Sequence, residues 1–403
     1  CQGATSANLT YSATTGTDYK INFDATAEGQ GFVDVPYTTL PNSPIVITVP
    51  GAAAAGTYYA TLQVKNTASG CESNVYNISV TVNALPTITL GDNPSVCQGA
   101  TSANLTYSAT TGGANQYKID FNDAANTAGF ADVAYTALGA SPISITVPGS
   151  AVAGTYNATL QVKNTASGCE SVGYAISVTV NALPTATLTA TTQNVCYGGT
   201  ATYSVALTGT PNWTLKYHNE TSDVTVSGIT SSPYTITINN ATADLNYYIT
   251  EVSDAHCTNT TDGSPVLINV YEQFSAGGIN IEGETICSGG DPGEIGSTTP
   301  ASGGDGTITY KWQSSTDGGT TWSDIVSSNA ETYNPGALTQ TTKFQRLAND
   351  GTCNTTPTQS TGTWTVTVEQ PAVAPTIYPS PAAGTVCEGT LVSATFSGGS
   401  GGN

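Results

Sequence analysis

Nine cysteines, at positions 1, 71, 97, 169, 196, 257, 287, 353 and 387, are the residues of this sequence with the most definite chemistry. Successive gaps alternate long and short: 70, 26, 72, 27, 61, 30, 66 and 34 residues. No C-x-x-C occurs, so neither a zinc ribbon nor a thioredoxin-like redox motif is written here. His218 and His256 are the only histidines, which argues against Cys/His zinc sites. The economical use of such spacing is one disulfide inside each long gap: Cys1–Cys71, Cys97–Cys169, Cys196–Cys257 and Cys287–Cys353. Cys387 would then take a partner beyond Asn403, and one free thiol per chain is expected. Each bridge would close a loop of roughly 60 to 70 residues and contribute about 4 kcal/mol in the chain-entropy model. Such bridges imply an oxidising compartment, hence an extracellular or cell-surface location. The first cysteine of each pair precedes a strand such as "ANLTYS", and the second follows "LQVKN" in a turn, so the bridge is expected to pin one end of a fold.

Carboxylates are the next candidates. Asp34 recurs as Asp132, and Asp24 falls within one position of the counterpart of Asp123. Calcium is the cation that clustered oxygens of this kind would take. The spacing follows no EF-hand or RTX pattern and Asp18 and Asp120 have no acidic counterparts, so solvated turns are the plainer account of the four aspartates and calcium the weaker one. No other cofactor is indicated. Gly398–Gly399–Ser400–Gly401–Gly402 spells G-x-S-x-G, but it lies in a Gly/Ser run with no helix after it, so it is not a nucleophile elbow. Exposed aromatics such as Tyr59, Trp322 and Tyr333 could stack on a surface polysaccharide. General acid/base sites sit in a unique pocket, and repetition of one module argues against such a pocket and against an enzyme.

The elements that position these residues repeat. "CQGATSANLTYSATTG" at Cys1 to Gly16 recurs at Cys97 to Gly112, an offset of 96 residues. "ATLQVKNTASGCES" at Ala60 to Ser73 recurs at Ala158 to Ser171, an offset of 98 residues. The two extra residues fall in the turn Gly113–Ala114–Asn115–Gln116, where a sandwich tolerates them. A repeat this long is a whole domain. The boundaries read as 1–84 for copy one, which lacks its first strand; 85–182 for copy two; 183–272 for copy three; 273–370 for copy four; and 371–403 for the start of a fifth. Both ends cut through a repeat, which is expected of an excerpt from a longer fibre.

Period-two alternation runs through every copy. In "GTYYATLQVK", Tyr58, Ala60, Leu62 and Val64 share one face, and copy two keeps all four as Tyr156, Ala158, Leu160 and Val162. Tyr59 on the other face becomes Asn157, a change tolerated only where that face is wet. The Tyr58 face is therefore core. By the same alternation Ile78, Val80 and Val82 point inward, as do Trp213 with Leu215, and Ile308, Tyr310 and Trp312 share a face. About seven short strands per copy give an all-β array of tandem immunoglobulin-like sandwiches. Charged residues are 9% of the chain and the formal charge is −20, so Thr, Ser, Asn and Gly form the polar surface and nucleic-acid binding is excluded. No apolar run reaches the ~20 residues that a membrane helix needs.

"AGTYYATLQVKNTASGC", "YSVALTGTPNWTLKY" and "ICSGGDPGEIGSTTPASGGDGTITYKWQSSTDGGTTWSDI" resemble the Ig-like and PKD-like repeats of very large Bacteroidota surface proteins. These include gliding-associated adhesins exported by the type IX pathway. The resemblance implies a structural or adhesive cell-surface fibre or stalk whose partners are itself or neighbouring repeats of a longer chain. The alternative is a non-catalytic spacer, or a set of carbohydrate-binding repeats, in a larger secreted enzyme.

Overall fold

The computed structural model describes residues 1–380, 389 and 393–399. Compactness divides the chain into Cys1–Pro184 with Asp254–Thr258, and Thr185–Ser253 with Asn259–Asn403. Cys387 and Ser400 to Gly402 lie outside the described residues.

Copy one contains β1 (Ser6–Leu9), β2 (Asp18–Phe23), α1 (Ala25–Gly29), β3 (Val35–Thr39), β4 (Ile45–Thr48), β5 (Gly56–Lys65) and β6 (Tyr76–Val82). A four-stranded sheet in the order β3-β2-β5-β6 packs on the β1-β4 pair. Tyr58, Ala60 and Leu62 are buried while Tyr59 is 60% exposed, so the alternation reads inside and outside as the sequence requires. Val80 and Val82 are buried beside them and Ile78 is half-buried.

Copy two shows the complete plan. It has β7 (Thr87–Leu90), β8 (Ser95–Cys97), β9 (Ser102–Leu105), β10 (Tyr107–Thr111), β11 (Gln116–Phe121), α2 (Asp123–Thr127), β12 (Val133–Ala137), β13 (Ile143–Thr146), β14 (Gly154–Lys163) and β15 (Tyr174–Asn181). One sheet runs β12-β11-β14-β15-β8, and the β7-β10 and β9-β13 pairs cover its inner face. All the pairs are antiparallel except β8 with β15, which run parallel. This is the immunoglobulin arrangement, with an opening strand divided between the two sheets. Residues 112–115 form the turn between β10 and β11 and hold three of the four residues, Gly113 to Gln116, to which the sequence assigns the insertion; Gln116 opens β11.

Copy three contains β16 (Ala186–Ala190), β17 (Asn194–Val195), β18 (Gly199–Leu207), β19 (Trp213–His218), β20 (Asp223–Ile229), β21 (Tyr234–Ala241), β22 (Leu245–Ser253), β23 (Thr258–Thr260) and β24 (Val266–Val270). Its sheets run β16-β18-β21 and β17-β24-β22-β19-β20, with β17 parallel to β24. Trp213 and Leu215 are both buried, next to stacked Tyr203 and Tyr247.

Copy four contains β25 (Glu272–Ser275), β26 (Gly278–Ile279), β27 (Glu284–Cys287), β28 (Ser297–Thr299), β29 (Ser302–Gly304), β30 (Thr309–Ser315), β31 (Ser323–Asp324), β32 (Thr342–Asn349), β33 (Thr358–Gln359) and β34 (Trp364–Glu369). Its main sheet runs β27-β34-β32-β30-β31, again with β27 parallel to β34. Trp312 is fully buried against Phe344, Trp364 and Val366. Beyond it, β35 (Thr376–Ser380) pairs antiparallel with β36 (Ser393–Ser397).

Candidate functional site at the cysteine joints

The parallel opening strand decides where each cysteine lies. In copy two, β8 pairs with β15 through Thr179↔Ser95, Val180↔Val96 and Asn181↔Cys97. Cys97 is therefore level with the last residue of β15. Cys169 lies in the turn between β14 and β15, beyond the other end of that strand. From Tyr174 to Asn181, β15 spans about 23 Å at ~3.3 Å per residue. A disulfide needs its two Cα atoms within about 7 Å. The copy-internal pairing is thus geometrically closed. The same holds in copy four, where Cys287 pairs with Glu369 at the end of β34, and in copy three, where Cys196 follows directly on Val195, the partner of Val270.

The bridges are offset by one copy instead. Cys1 bonds Cys169, Cys97 bonds Cys257 and Cys196 bonds Cys353, with Cα–Cα distances of 5.5, 5.8 and 5.5 Å. Each opening cysteine takes the β-turn cysteine of the following copy. This corrects the expected Cys1–Cys71, Cys97–Cys169, Cys196–Cys257 and Cys287–Cys353 set. The expected bridge would have pinned one end of a single sandwich, but its two cysteines lie at opposite ends. Cys71 and Cys287, both expected to be bridged, are exposed free thiols, so more than the one expected thiol is free. Gap lengths could not separate the two patterns, because both use one cysteine on each side of every linker. The missing signal was strand direction: a short strand ending in Cys, just before a Gly turn, runs parallel to the last strand.

Each turn cysteine is held by its neighbours. Asn66 accepts from the backbone N–H of Ala68 and Ser69 at 3.0 and 3.2 Å, and Asn164 does the same for Ala166 and Ser167 at 2.9 and 3.3 Å. Asp254 accepts from the N–H groups of His256 and Cys257. Asp350 accepts from those of Thr352, Cys353 and Asn354. An Asn or Asp thus precedes the turn cysteine in every copy and folds the backbone around it.

Beside Cys71, copy one has an open apolar groove of about 360 Å³ lined by Leu9, Tyr11, Leu40, Ile45, Leu62 and Ile78, among others. The equivalent space in copy two holds β7, whose Ile88 is 4% exposed. Tyr76 at the groove's edge is 56% exposed, whereas its counterpart Tyr174 packs on the copy-two core.

The calcium candidates have local duties. Asp24 caps α1 by accepting from Ala27 N at 2.7 Å, and Asn122 caps α2 by accepting from Ala125 N at 2.9 Å. Asp123 is the first residue of α2. Asp34 accepts from Phe23 N at 2.7 Å and Asp132 from Phe121 N at 2.8 Å. Asp34 and Asp132 recur because both close the same strand–helix–strand connection. Among the described residues, no group of three or more His, Cys, Asp or Glu side chains could hold a metal ion. Of the proposed sugar-stacking rings, Tyr333 lies against Trp312 and Phe344 and Trp322 is half-buried; Tyr59 projects freely.

Three features escaped the sequence reading. Lys20 and Lys65 lie over the ring of Tyr37 at 5.0 and 5.3 Å, and Lys118 and Lys163 over Tyr135 at 5.6 and 5.0 Å. All three positions recur between copies one and two at an offset of 98 residues, which was the available signal. Burial first, and the Glu170 carboxylate second, push the Tyr135 phenol up to about 12. In copy four, fully buried Arg346 has no carboxylate partner among the described residues. It donates to Ser360 and Ser297 hydroxyls and to the carbonyls of Glu331, Ala276, Gly278 and Thr299, under the Tyr310 ring. Buried Asp350 lies against Gly304, where a Cβ would stand 1.8 Å from its carboxylate, so only glycine fits.

His218 is paired to Asp223 at 2.9 Å and stacked on Tyr248. Its environment is a surface ion pair that includes Lys216.

The fold and its joints define a tandem array of immunoglobulin-like sandwiches. The family described as a domain of unknown function (DUF8696) matches residues 276–370. No curated protein matches the chain. Among solved structures, the chain is similar to the I-band fragment I67-I69 from titin at 12% identity and TM-score 0.39, over 71% of this chain and 99% of that one. It is also similar to protocadherin gammaB7 EC3-6 at 12% identity and TM-score 0.33, over 91% and 96%. Sidekick-1 immunoglobulin domains 1-5 match at 12% identity and TM-score 0.26, over 93% and 76%.

Proposed function

We propose that this chain is a non-catalytic structural stretch of an extracellular fibre or stalk that holds an adhesive surface away from a bacterial cell. The observation that carries this reading is the offset bridging. A disulfide inside one sandwich stabilises that sandwich; a disulfide from one copy to the next adds a second covalent tie between copies that the backbone already joins, and so limits how far the array can lengthen when a copy unfolds. That serves a molecule whose task is to stay connected under load. The three bridges require an oxidising compartment, which supports a location outside the cytoplasm. The resemblance to Bacteroidota surface repeats supports a gliding-type adhesin exported by the type IX route. An acidic surface, at a formal charge of −20, keeps such a fibre from collapsing onto anionic membranes. Surface polysaccharide is the partner class for exposed rings such as Tyr59.

The test is labelling of intact producing cells with antibody raised against residues 1–370. Surface labelling without permeabilisation, removed by external protease, is the expected result. Labelling that appears only after permeabilisation would overturn the reading.

A further inference from the structure

The outer face of the copy-four sheet carries a row of polar side chains that hold one another in place. Trp312 on β30 is fully buried in the core, so Lys311 and Gln313 on either side of it point outward. Gln313 stands opposite Asp324 on β31 and opposite Gln345 on β32. Gln345 donates to Gln313 Oε1 at 2.7 Å, Gln313 donates to Asp324 Oδ1 at 2.8 Å, and Lys311 donates to Asp324 Oδ2 at 2.8 Å. Gln345 is only 7% exposed although it belongs to this outer row. The row is therefore ordered before any ligand arrives, which removes part of the cost of binding.

The next row adds a ring and a charge. Trp322, two residues before Asp324, takes the same face as that carboxylate, and Lys343 stands opposite Ser315 in the β30–β32 register. Gly319 lies between the two: a Cβ there would be 3.5 Å from Cζ2 of the half-buried Trp322 indole and 3.7 Å from Lys343 Cδ. The chain has eight Lys and Arg side chains. Seven of them are held by a carboxylate, a hydrogen bond or an aromatic ring. Lys343 is the one cation that has none of these among the described residues. The Asp317 carboxylate, in the hairpin turn between β30 and β31, is occupied by the Ser315 and Thr321 hydroxyls and by the N–H groups of Thr320 and Thr321. An unpartnered ammonium thus sits beside an indole on a face of ordered amides.

We propose that this face of copy four is a subsite for a uronate residue of an acidic polysaccharide. The Trp322 indole takes the C–H face of the sugar ring, whose positive edge suits the negative face of an aromatic system. The Lys343 ammonium takes the sugar carboxylate in a charge-assisted hydrogen bond. The Asp324–Gln313–Gln345 row meets the sugar hydroxyls. A neutral sugar would leave Lys343 as unpartnered as it is without ligand. A chain of formal charge −20 repels a polyanion over most of its surface, so attraction has to be concentrated at a point such as this one. The inference deepens the adhesive reading by naming the partner's chemistry and the copy that meets it, and it rests on that reading for its biological setting. Cell labelling tests location without reference to this face, so the two can fail separately.

The test titrates the full oxidised chain by calorimetry with two probes: an oligomer of galacturonic acid, and the same oligomer with its carboxyls reduced to primary alcohols. The acidic oligomer is expected to bind, and the reduced one to bind at least about tenfold more weakly, as the loss of one hydrogen bond to a charged group requires. Lys343→Gln, a surface change that keeps the thermal midpoint, is expected to bring the two oligomers to the same affinity. Trp322→Ala is expected to weaken both, and Tyr59→Ala to weaken neither. Equal affinity of the two oligomers for the unaltered chain would overturn the proposal. So would an acidic preference that survives Lys343→Gln, or an acidic oligomer that does not bind. Binding lost in Tyr59→Ala and kept in Trp322→Ala would overturn this site and leave the adhesive reading standing.

Discussion

At the scale of single residues, copy four depends on two buried charges that its neighbours satisfy almost entirely with neutral groups. Arg346 is fully buried and spreads its donors over two hydroxyls and four carbonyls. Removing it takes a donor from every one of them; the Ala276 and Gly278 carbonyls keep the Ser360 and Ser297 hydroxyls, but the Glu331 and Thr299 carbonyls lose their guanidinium donor, and each unsatisfied buried group costs roughly 1–3 kcal/mol. Arg346→Ala should therefore destabilise copy four by about 3–5 kcal/mol in denaturant unfolding. Arg346→Lys should recover little, because an ammonium cannot reproduce the planar fork. Three of the four tryptophans, Trp312, Trp322 and Trp364, lie in copy four, so fluorescence reports this unfolding directly. The same copy should be the acid-sensitive one. Hydrogen bonds from Thr321 and Ser315 hold Asp317 far below the usual carboxylate range, and the Thr352 hydroxyl lowers Asp305. Burial works to raise Asp350, but hydrogen bonds from Asn354, Cys353 and Thr352 outweigh it and leave the carboxyl lowered. A carboxyl whose folded pKa lies below its unfolded value of about 3.9 contributes stability above that pH and loses it as pH falls toward the folded value. The tryptophan-reported midpoint should thus be flat from pH 7 to about 5 and fall steeply below about 4. An unchanged midpoint at pH 3 would show that these hydrogen bonds are absent in solution.

At the scale of elements, the short helix after β2, and its copy-two counterpart after β11, depend on one side chain at each end of the connection. Asp24 and Asn122 cap the first turn, while Asp34 and Asp132 tie the returning chain to Phe23 and Phe121. Asp24→Ala and Asn122→Ala should each cost about 1 kcal/mol, the usual worth of an N-cap. Asp34→Ala and Asp132→Ala should cost somewhat more, since each leaves a strand N–H without its acceptor. Because these carboxylates are engaged locally, adding calcium should leave the thermal midpoint unchanged, and a rise reversed by chelator would restore the metal reading. The sandwiches themselves were legible in the sequence, because strand alternation is written into every window: Tyr58 against Tyr59, Trp213 against Thr214. The recurrence of Asp34 and Asp132 was legible too, but its cause was not, since a cap and a calcium ligand use the same residue type. The joints were misread for a different reason. Periodicity says which face a residue takes; it does not say which way along the sheet a three-residue strand such as Ser95–Cys97 runs. That direction separates Cys97 from Cys169 and sends it to Cys257. Arg346 was invisible because nothing in a single charged residue on a strand distinguishes a buried hub from a solvated end.

At the scale of the whole molecule, the offset bridges overlap along the sequence, from Cys1 to Cys169, Cys97 to Cys257 and Cys196 to Cys353. Each closes a loop of about 160 residues, worth about 5 kcal/mol in the chain-entropy model taken singly. Their mechanical consequence is larger. With the bridges intact, the shortest covalent path from Cys1 to Cys353 crosses two of them and only the 27 residues from Cys169 to Cys196. Even with every sandwich unfolded, that path extends to only about 95 Å at ~3.5 Å per residue. Bridges inside each copy would instead leave three linkers in the path and allow about 290 Å. With no bridges, the same stretch would extend to roughly 1,200 Å. Pulling the oxidised chain by its ends should therefore show that Cys1 to Cys353 contributes the shortest of these lengths. Reductant should then release an additional contour of roughly 1,100 Å. A contribution near 290 Å in the oxidised state would return the cysteines to their own copies. A contribution near 95 Å would establish that adjacent copies are fastened so that their unfolding cannot lengthen the array.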